Sequence, residues 1–248
     1  MSPPSPSDRR YRLHPDVVWI ERPDGSVHLM HMSANVCAID AEAAALLRAI
    51  FAVGPAPAAA ELAARDGMPA VEAETEVADF IRSLRRQRLI QPAPDEASVA
   101  PRDRTAIGVI RGALRLVDTL ARTPRTRTRG MLWAARWAVF QFGWARAIRA
   151  WEVLFPQPAD VAIASPQRLA EIDEAVREIA ASSLVGLECK ERSLVCLALA
   201  RTHGVRAQLI VGIAHDPMQG HVWVEAAGRI LGDDPEHYRS FDRVACYG

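Results

Sequence analysis

The stretch from Cys189 to Asp233 constrains the fold of this chain more than any other. Residues Cys189 to Thr202 carry apolar side chains at helical spacing, and His203-Gly204 supplies a stop. Val205 to Ala214 reads as a buried strand, and His215 to Gly220 as a turn. His221 then opens the strand pattern HVWVEA. Ala227-Gly228 turns the chain, and Arg229 to Leu231 leads to Asp233. The histidine follows the cysteine by 32 residues, and the aspartate follows the histidine by 12. A helix and two adjacent antiparallel strands in that order can gather a thiol, an imidazole and a carboxylate.

Each of the three has a role in thiol chemistry. Cys189 sits in the first turn of its helix, where unpaired N–H groups and the helix dipole favour an anion. Residues at the start of one strand and the end of the next lie opposite each other in a hairpin, so Asp233 can face His221. Asp233 would hold the imidazole tautomer, His221 would take the thiol proton, and Cys189 would attack a carbonyl. The backbone N–H of Cys189 is the first candidate donor to an oxyanion. Other readings compete. Asp234 and Asp242 are alternative orienting acids. Cys196 falls on nearly the same helix face as Cys189 but deeper, and reads as core. A zinc site from Cys189, Cys196 and His221 would lack the usual close-spaced ligand pairs. His215 and His237 read as surface or hydrogen-bonding histidines, and Cys37 and Cys246 as filler.

Composition excludes several classes. Thirty basic residues balance thirty acidic ones, so no global charge steers the chain to nucleic acid or to a membrane. Four scattered cysteines without a CxxC pair point to reduced thiols in a cytoplasmic protein. The opening MSPPSPSDRR lacks the apolar run of a secretory signal. No phosphate-binding GxxxxGK[ST] loop is present. Neither a metal nor an organic cofactor is expected.

The rest of the chain divides by its breakers. Residues 1–10 are a Pro/Ser-rich tail, expected to be disordered. In 11–92, short strands at Val17–Ile20, Val27–Leu29 and Val36–Ile39 precede helices at Ala41–Phe51, Ala58–Arg65 and Val71–Arg88. Asp40 is placed to cap the first helix, and Leu89–Gln91 reads as a short strand. Three strands and three helices make a winged-helix-like unit. Nucleic-acid binding is one reading of that shape, but the third helix mixes Arg82, Arg85, Arg86 and Arg88 with Glu72, Glu74, Glu76 and Asp79. Residues 93–104 read as a linker.

Residues 105–248 hold further helices, at Ile107–Ala121, Gly130–Trp151 and Leu169–Ala181, ahead of the Cys189 helix. Ser165 is placed as N-cap of the third, with Pro166 at its first position. ARTPRTRTRG reads as a basic connecting loop. The segment 130–151 holds four tryptophans and two phenylalanines. Peripheral membrane contact, stacking on single-stranded nucleic acid, and burial against the catalytic core are its three readings.

The text C-K-E-R-S-L, G-V-R-A-Q-L-I-V-G-I and H-V-W-V-E-A-A-G-R-I-L-G-D, within about residues 150–240, resembles the leader peptidase of lasso-peptide biosynthesis. That enzyme is a transglutaminase-like, papain-like cysteine protease. The resemblance maps its nucleophile, base and acid onto Cys189, His221 and Asp233. The family's usual alanine after the histidine is Val222 here, and its usual asparagine before the acid is Gly232. Residues 11–92 are similar to the RiPP recognition element, through the hairpin at P-D-G-S, the strand VCAID and the helix VADFIRSLRRQRLI. That likeness implies an open strand edge at Val36, Cys37 and Ala38, facing Phe80 and Leu84, to which a leader peptide adds as a further strand, with plain core packing the alternative for each of the five residues. Together the two resemblances imply an α+β chain that binds a lasso precursor by its leader and cuts the leader off. The core would pass to an asparagine-synthetase-like cyclase, with no nucleic-acid partner. A transglutaminase-like acyltransferase and a non-catalytic winged-helix binder are the alternatives.

Overall fold

A computed structural model of the protein describes residues 10–33, 36–93, 96–159, 166–215, 218–232 and 237–248. The chain is a mixed α/β protein that divides into two compact units, Met1–Ser98 and Val99–Gly248. Most of the tail lies outside the described residues, as do Ser165, Asp233 and Asp234.

In the first unit, β2 (Val17–Glu21), β3 (Val27–His31) and β4 (Val36–Ile39) form an antiparallel sheet in that order. The β2–β3 turn closes because Gly25 takes φ +83° and Asp24 accepts from the Ser26 N–H at 3.0 Å. Asp40 caps α1 (Ala41–Val53) through Ala43 N–H at 2.8 Å. Gly54, at φ +97°, ends α1, and Pro55 opens α2 (Pro55–Asp66). Ala73, Val77, Ile81 and Leu84 are the buried stripe of α3 (Ala70–Arg86), and they meet Val27, Leu29, Leu47 and Ile50 in the core. One strand was not foreseen. β1 (Tyr11–Leu13) pairs antiparallel with β5 (Ile90–Pro92), which joins the two ends of the unit. Three residues are too few to show a period of two.

In the second unit the sequence reading needs four corrections. The expected linker 93–104 is helical from Glu96, the first residue of α4 (Glu96–Leu120). The expected basic loop is instead the start of α5 (Pro124–Phe142). Thr123 and Thr126 form a capping box, with Thr126 N–H to Thr123 Oγ1 at 3.2 Å and the reverse bond at 3.1 Å. The arginines that suggested a loop pair outward, Arg125 with Glu178 and Arg127 with Asp118, both at 2.7 Å. The single helix expected over Gly130–Trp151 is broken by Gly143, at φ +81°, into α5 and α6 (Trp144–Leu154). His221 does not open its strand but stands fourth in it.

The sheet of this unit has the order β8-β7-β6-β9, all antiparallel: β6 (Ala207–His215), β7 (Met218–Ala226), β8 (Arg229–Leu231) and β9 (Asp242–Tyr247). Ala227 and Gly228, at φ +47° and +76°, form the two-residue β7–β8 turn. Strand β9, also unforeseen, covers the far side of β6. Helix α8 (Cys189–Thr202) packs against β6, β7, α5, α6 and α7 (Pro166–Ala181). Its residues from Ser193 to Arg201 are buried, including polar ones, so it is enclosed on every side. Arg201 tolerates burial because its guanidinium donates to Ala207 O at 2.9 and 3.2 Å and to Phe155 O at 2.9 Å.

Trp144 and Trp151 of the aromatic segment are buried, whereas Trp133, Trp137 and Phe140 are exposed. Among the described residues no helix is long and apolar enough to cross a membrane. Gly212 of β6 lies under the buried Trp223 ring: a Cβ there would come within 2.5 Å of the indole and 2.9 Å of Phe241 Cβ. Gly212→Ala is therefore expected to lower stability by about 1–3 kcal/mol, measured as a drop in urea midpoint at unchanged slope.

Candidate functional site

Cys189 is the first residue of α8 and is partly buried. The segment before it is held at two points. Arg136 of α5 donates to Gly186 O at 2.8 Å, and the Glu188 N–H donates to the Glu191 carboxylate at 2.7 Å. The second contact is the backward half of a capping box and sets where the helix begins. Lys190 pairs with Glu188 at 2.8 Å.

His221 lies opposite Gly212 across the β6–β7 ladder and is 8% exposed. Its ring stacks on Trp223, centroids 6.2 Å apart, and meets Phe241 and His237 at 5.0 Å each. The glycine at 212 makes the room for Trp223 beside the imidazole. His237 is exposed as expected, but its place edge-on to His221 was not foreseen. It belongs to a short 3₁₀ helix, His237–Ser240, which has no period the sequence could display.

Helix and strand are joined by one buried hydrogen bond. Ser193 Oγ donates to Val222 O at 2.9 Å. Ser193 is four residues beyond Cys189, hence on the same helix face one turn on. Val222 is the neighbour of His221. Among the described residues the β7–β8 ladder stops at Val224 opposite Leu231, so beyond that point α8 takes over contact with β7. Asp233 lies outside the described residues. Asp234, one alternative orienting acid, also lies outside the described residues, and Asp242, the second alternative, bonds to His215 Nε2 at 3.0 Å.

Residues 131–246, from α5 through β9, match the family model of the transglutaminase-like superfamily. The second unit carries a transglutaminase-like domain. Comparison with curated proteins and with solved structures found no match. A domain of this kind suggests a papain-like cysteine protease or acyltransferase fold.

Within the transglutaminase-like domain, Gly232 ends β8 at φ +82°, and its N–H donates to Asp173 Oδ1 of α7 at 2.6 Å. A Cβ at Gly232 would lie 3.5 Å from Cys196 Sγ and 3.7 Å from Ser193 Oγ. The residue ahead of Asp233 is thus held between α7 and α8. Glycine accepts that positive φ without the steric cost a Cβ would bring. Asp173 carried no sequence signal, since its neighbours Ile172 and Val176 mark only an apolar helix face. Burial raises its pKa, against the opposing pull of the Gly232 N–H and of Arg177 at 3.6 Å.

The remaining expectations separate clearly. Cys196 is fully buried, and burial, helped by the nearby Asp173 charge, pushes its thiol far up. Cys189, Cys196 and His221 do not form a metal-sized group. Among the described residues, the side chains close enough to share an ion are His14, Asp16 and His31 of the first unit. Both imidazoles there already accept backbone N–H bonds at Nδ1, from Asp16 at 3.2 Å and Ser33 at 3.1 Å. In the first unit, β4 pairs with β3 alone among the described strands, and Val36, Cys37 and Ala38 are partly or fully exposed along it. Phe80 is half-buried. Leu84, at 2% exposure, belongs to the core and is closed to a ligand, because it continues the stripe of Val77 and Ile81.

Two predictions follow from this packing. Ser193→Ala leaves the Val222 carbonyl unpaired and should cost about 1–3 kcal/mol in urea unfolding. For Asp173 the folded pKa lies above the unfolded one, so its contribution is full at low pH and is lost as pH rises through the folded value. The stability of Asp173→Asn relative to wild type should therefore climb from about pH 4 upward and then level off, in unfolding curves taken up to about pH 8. A flat difference would contradict the buried carboxyl.

Proposed function

We propose that the chain is a fused lasso-peptide B protein: a cysteine peptidase that holds the leader of a lasso precursor and cleaves it from the core. The reading is carried by the Ser193–Val222 hydrogen bond, which joins the helix turn opened by Cys189 to the strand segment next to His221 within a transglutaminase-like domain. In this proposal His221 takes the thiol proton as sulfur attacks the scissile carbonyl. The Cys189 N–H, which α8 leaves without an intrahelical partner, donates to the oxyanion. The amine departs with the proton from the imidazolium, and water hydrolyses the thioester. Asp233 orients the imidazole. The freed core amine is the group a macrolactam-forming, asparagine-synthetase-like cyclase would consume.

The first unit supports the binding half. A three-stranded sheet with three helices has the element order of the RiPP recognition element, and β4 lies at a sheet edge suited to strand addition. On α3 the arginine at 82 is paired with Asp79, which weakens a groove-reading role. Joining holder and cutter in one chain raises the effective concentration of the scissile bond at the thiol. We place this chemistry in the cytoplasm, where free thiols such as the four cysteines here persist.

The test is cleavage of a synthetic precursor by the full chain. Cys189→Ala and His221→Ala should each slow it by at least about 10³-fold. Undiminished cleavage by Cys189→Ala sinks the proposal. Mass spectrometry separates the acyltransferase reading: an amide adduct with an added amine, in place of two hydrolysis fragments, would favour it.

A further inference from the structure

The loop that delivers Cys189 also walls a cavity. Between α5 and the segment from α7 to α8 lies a hollow of about 320 Å³. Leu132 and Ile179, both buried, line its depth. Trp133, 45% exposed, and Leu184, fully exposed, stand at its mouth, with Leu187 on the loop side. Arg129 is the one charged side chain on its wall. Leu187 precedes Cys189 by two residues, so the two Cα atoms are no more than about 7 Å apart. The Arg136 bond to Gly186 O ties this loop to α5.

We infer that this cavity is the subsite for one large apolar side chain of the peptide that Cys189 attacks, with Trp133 and Leu184 setting the preference. The inference rests on the peptidase reading above and adds a substrate class to it. Three features argue for a peptide side chain. The cavity is at the small end of the roughly 300–1,000 Å³ range of ligand sites, room for a single side chain. Its lining is apolar apart from two serines and the arginine. Its wall includes Leu187, two residues ahead of the nucleophile, so a residue bound there would be held close to the carbonyl under attack. A leucine wholly in water and a half-exposed tryptophan at the mouth are apolar surface that a docking side chain would cover.

The test needs no peptidase activity. Full-length protein is treated with N-methylchloroacetamide or N-(2-phenylethyl)chloroacetamide, and alkylation of each cysteine is followed by peptide mass spectrometry. Cys246, exposed on β9, reports the intrinsic reactivity ratio of the two reagents. The phenylethyl-to-methyl rate ratio at Cys189 should exceed that at Cys246 by at least about tenfold, a part of what burying a phenyl group contributes. Leu184→Ser and Trp133→Ala change exposed positions and should return the ratio towards that of Cys246. Trp137→Ala, exposed one turn further along α5, should leave it unchanged. Equal ratios at the two cysteines, or no labelling of Cys189 by either reagent, overturn the subsite. If Cys189 shows the preference but the chain cuts no precursor, the peptidase reading fails and the subsite survives. If it cuts precursor without the preference, the subsite fails and the peptidase reading survives.

Discussion

Enclosure of α8 is the constraint on which the rest of the second unit depends. A helix with one wet face can slide or rotate by a fraction of a turn at little cost. A helix packed by β6, β7, α5, α6 and α7 cannot, because each neighbour fills a different set of grooves. Its N-terminus is set by the Glu188–Glu191 contact and the arm from Arg136. Its other end is set by Arg201, whose three hydrogen bonds satisfy the carbonyls of Phe155, after α6, and Ala207, at the start of β6. Cys189 is therefore located by the whole packing of the unit, and not by its own contacts.

The strand side is shaped by what is missing from side chains. At Gly212 the absence of a Cβ lets the Trp223 indole approach β6, and the indole then becomes one wall for His221. At Gly232 the absence of a Cβ permits a positive φ against Ser193 and Cys196. Between these two glycines β7 exchanges a strand neighbour for a helix neighbour, and Ser193 supplies the hydrogen bond to Val222. A buried carbonyl must find a donor, so this exchange needs a short hydroxyl at that one helix position. Asp173 does the same service from α7 for the Gly232 N–H, and its burial is the cost.

Much of the local structure was legible because it rests on short-range rules. The limits of α8, the Asp40 cap, the Ala227–Gly228 turn and the apolar stripe of α3 all follow from residues within one or two turns of each other. The errors have the same origin. Thr123-Pro124 is a helix start hidden inside an arginine-rich run, whose composition resembles a loop. Gly143 lay within an otherwise continuous aromatic helix pattern, where a glycine is often tolerated. For Leu84 the helix face is legible but the depth of the core behind it is not, so ligand contact and core packing stay open in the sequence, and burial decides for the core.

The sequence by itself determined which elements form and which residues occupy their ends, since capping, turn chemistry and apolar periodicity act over a few residues. It placed a cysteine at a helix start and a histidine on the strand after the next turn. Only the tertiary structure decided that Ser193 bridges the two, that Asp173 holds Gly232 and His237 meets His221, that β1 meets β5, and that Leu184 and Trp133 line a cavity walled by the loop ahead of α8. Those pairings join residues tens of positions apart. They arise from how buried surfaces fit and which polar groups they strand, and no local pattern encodes that.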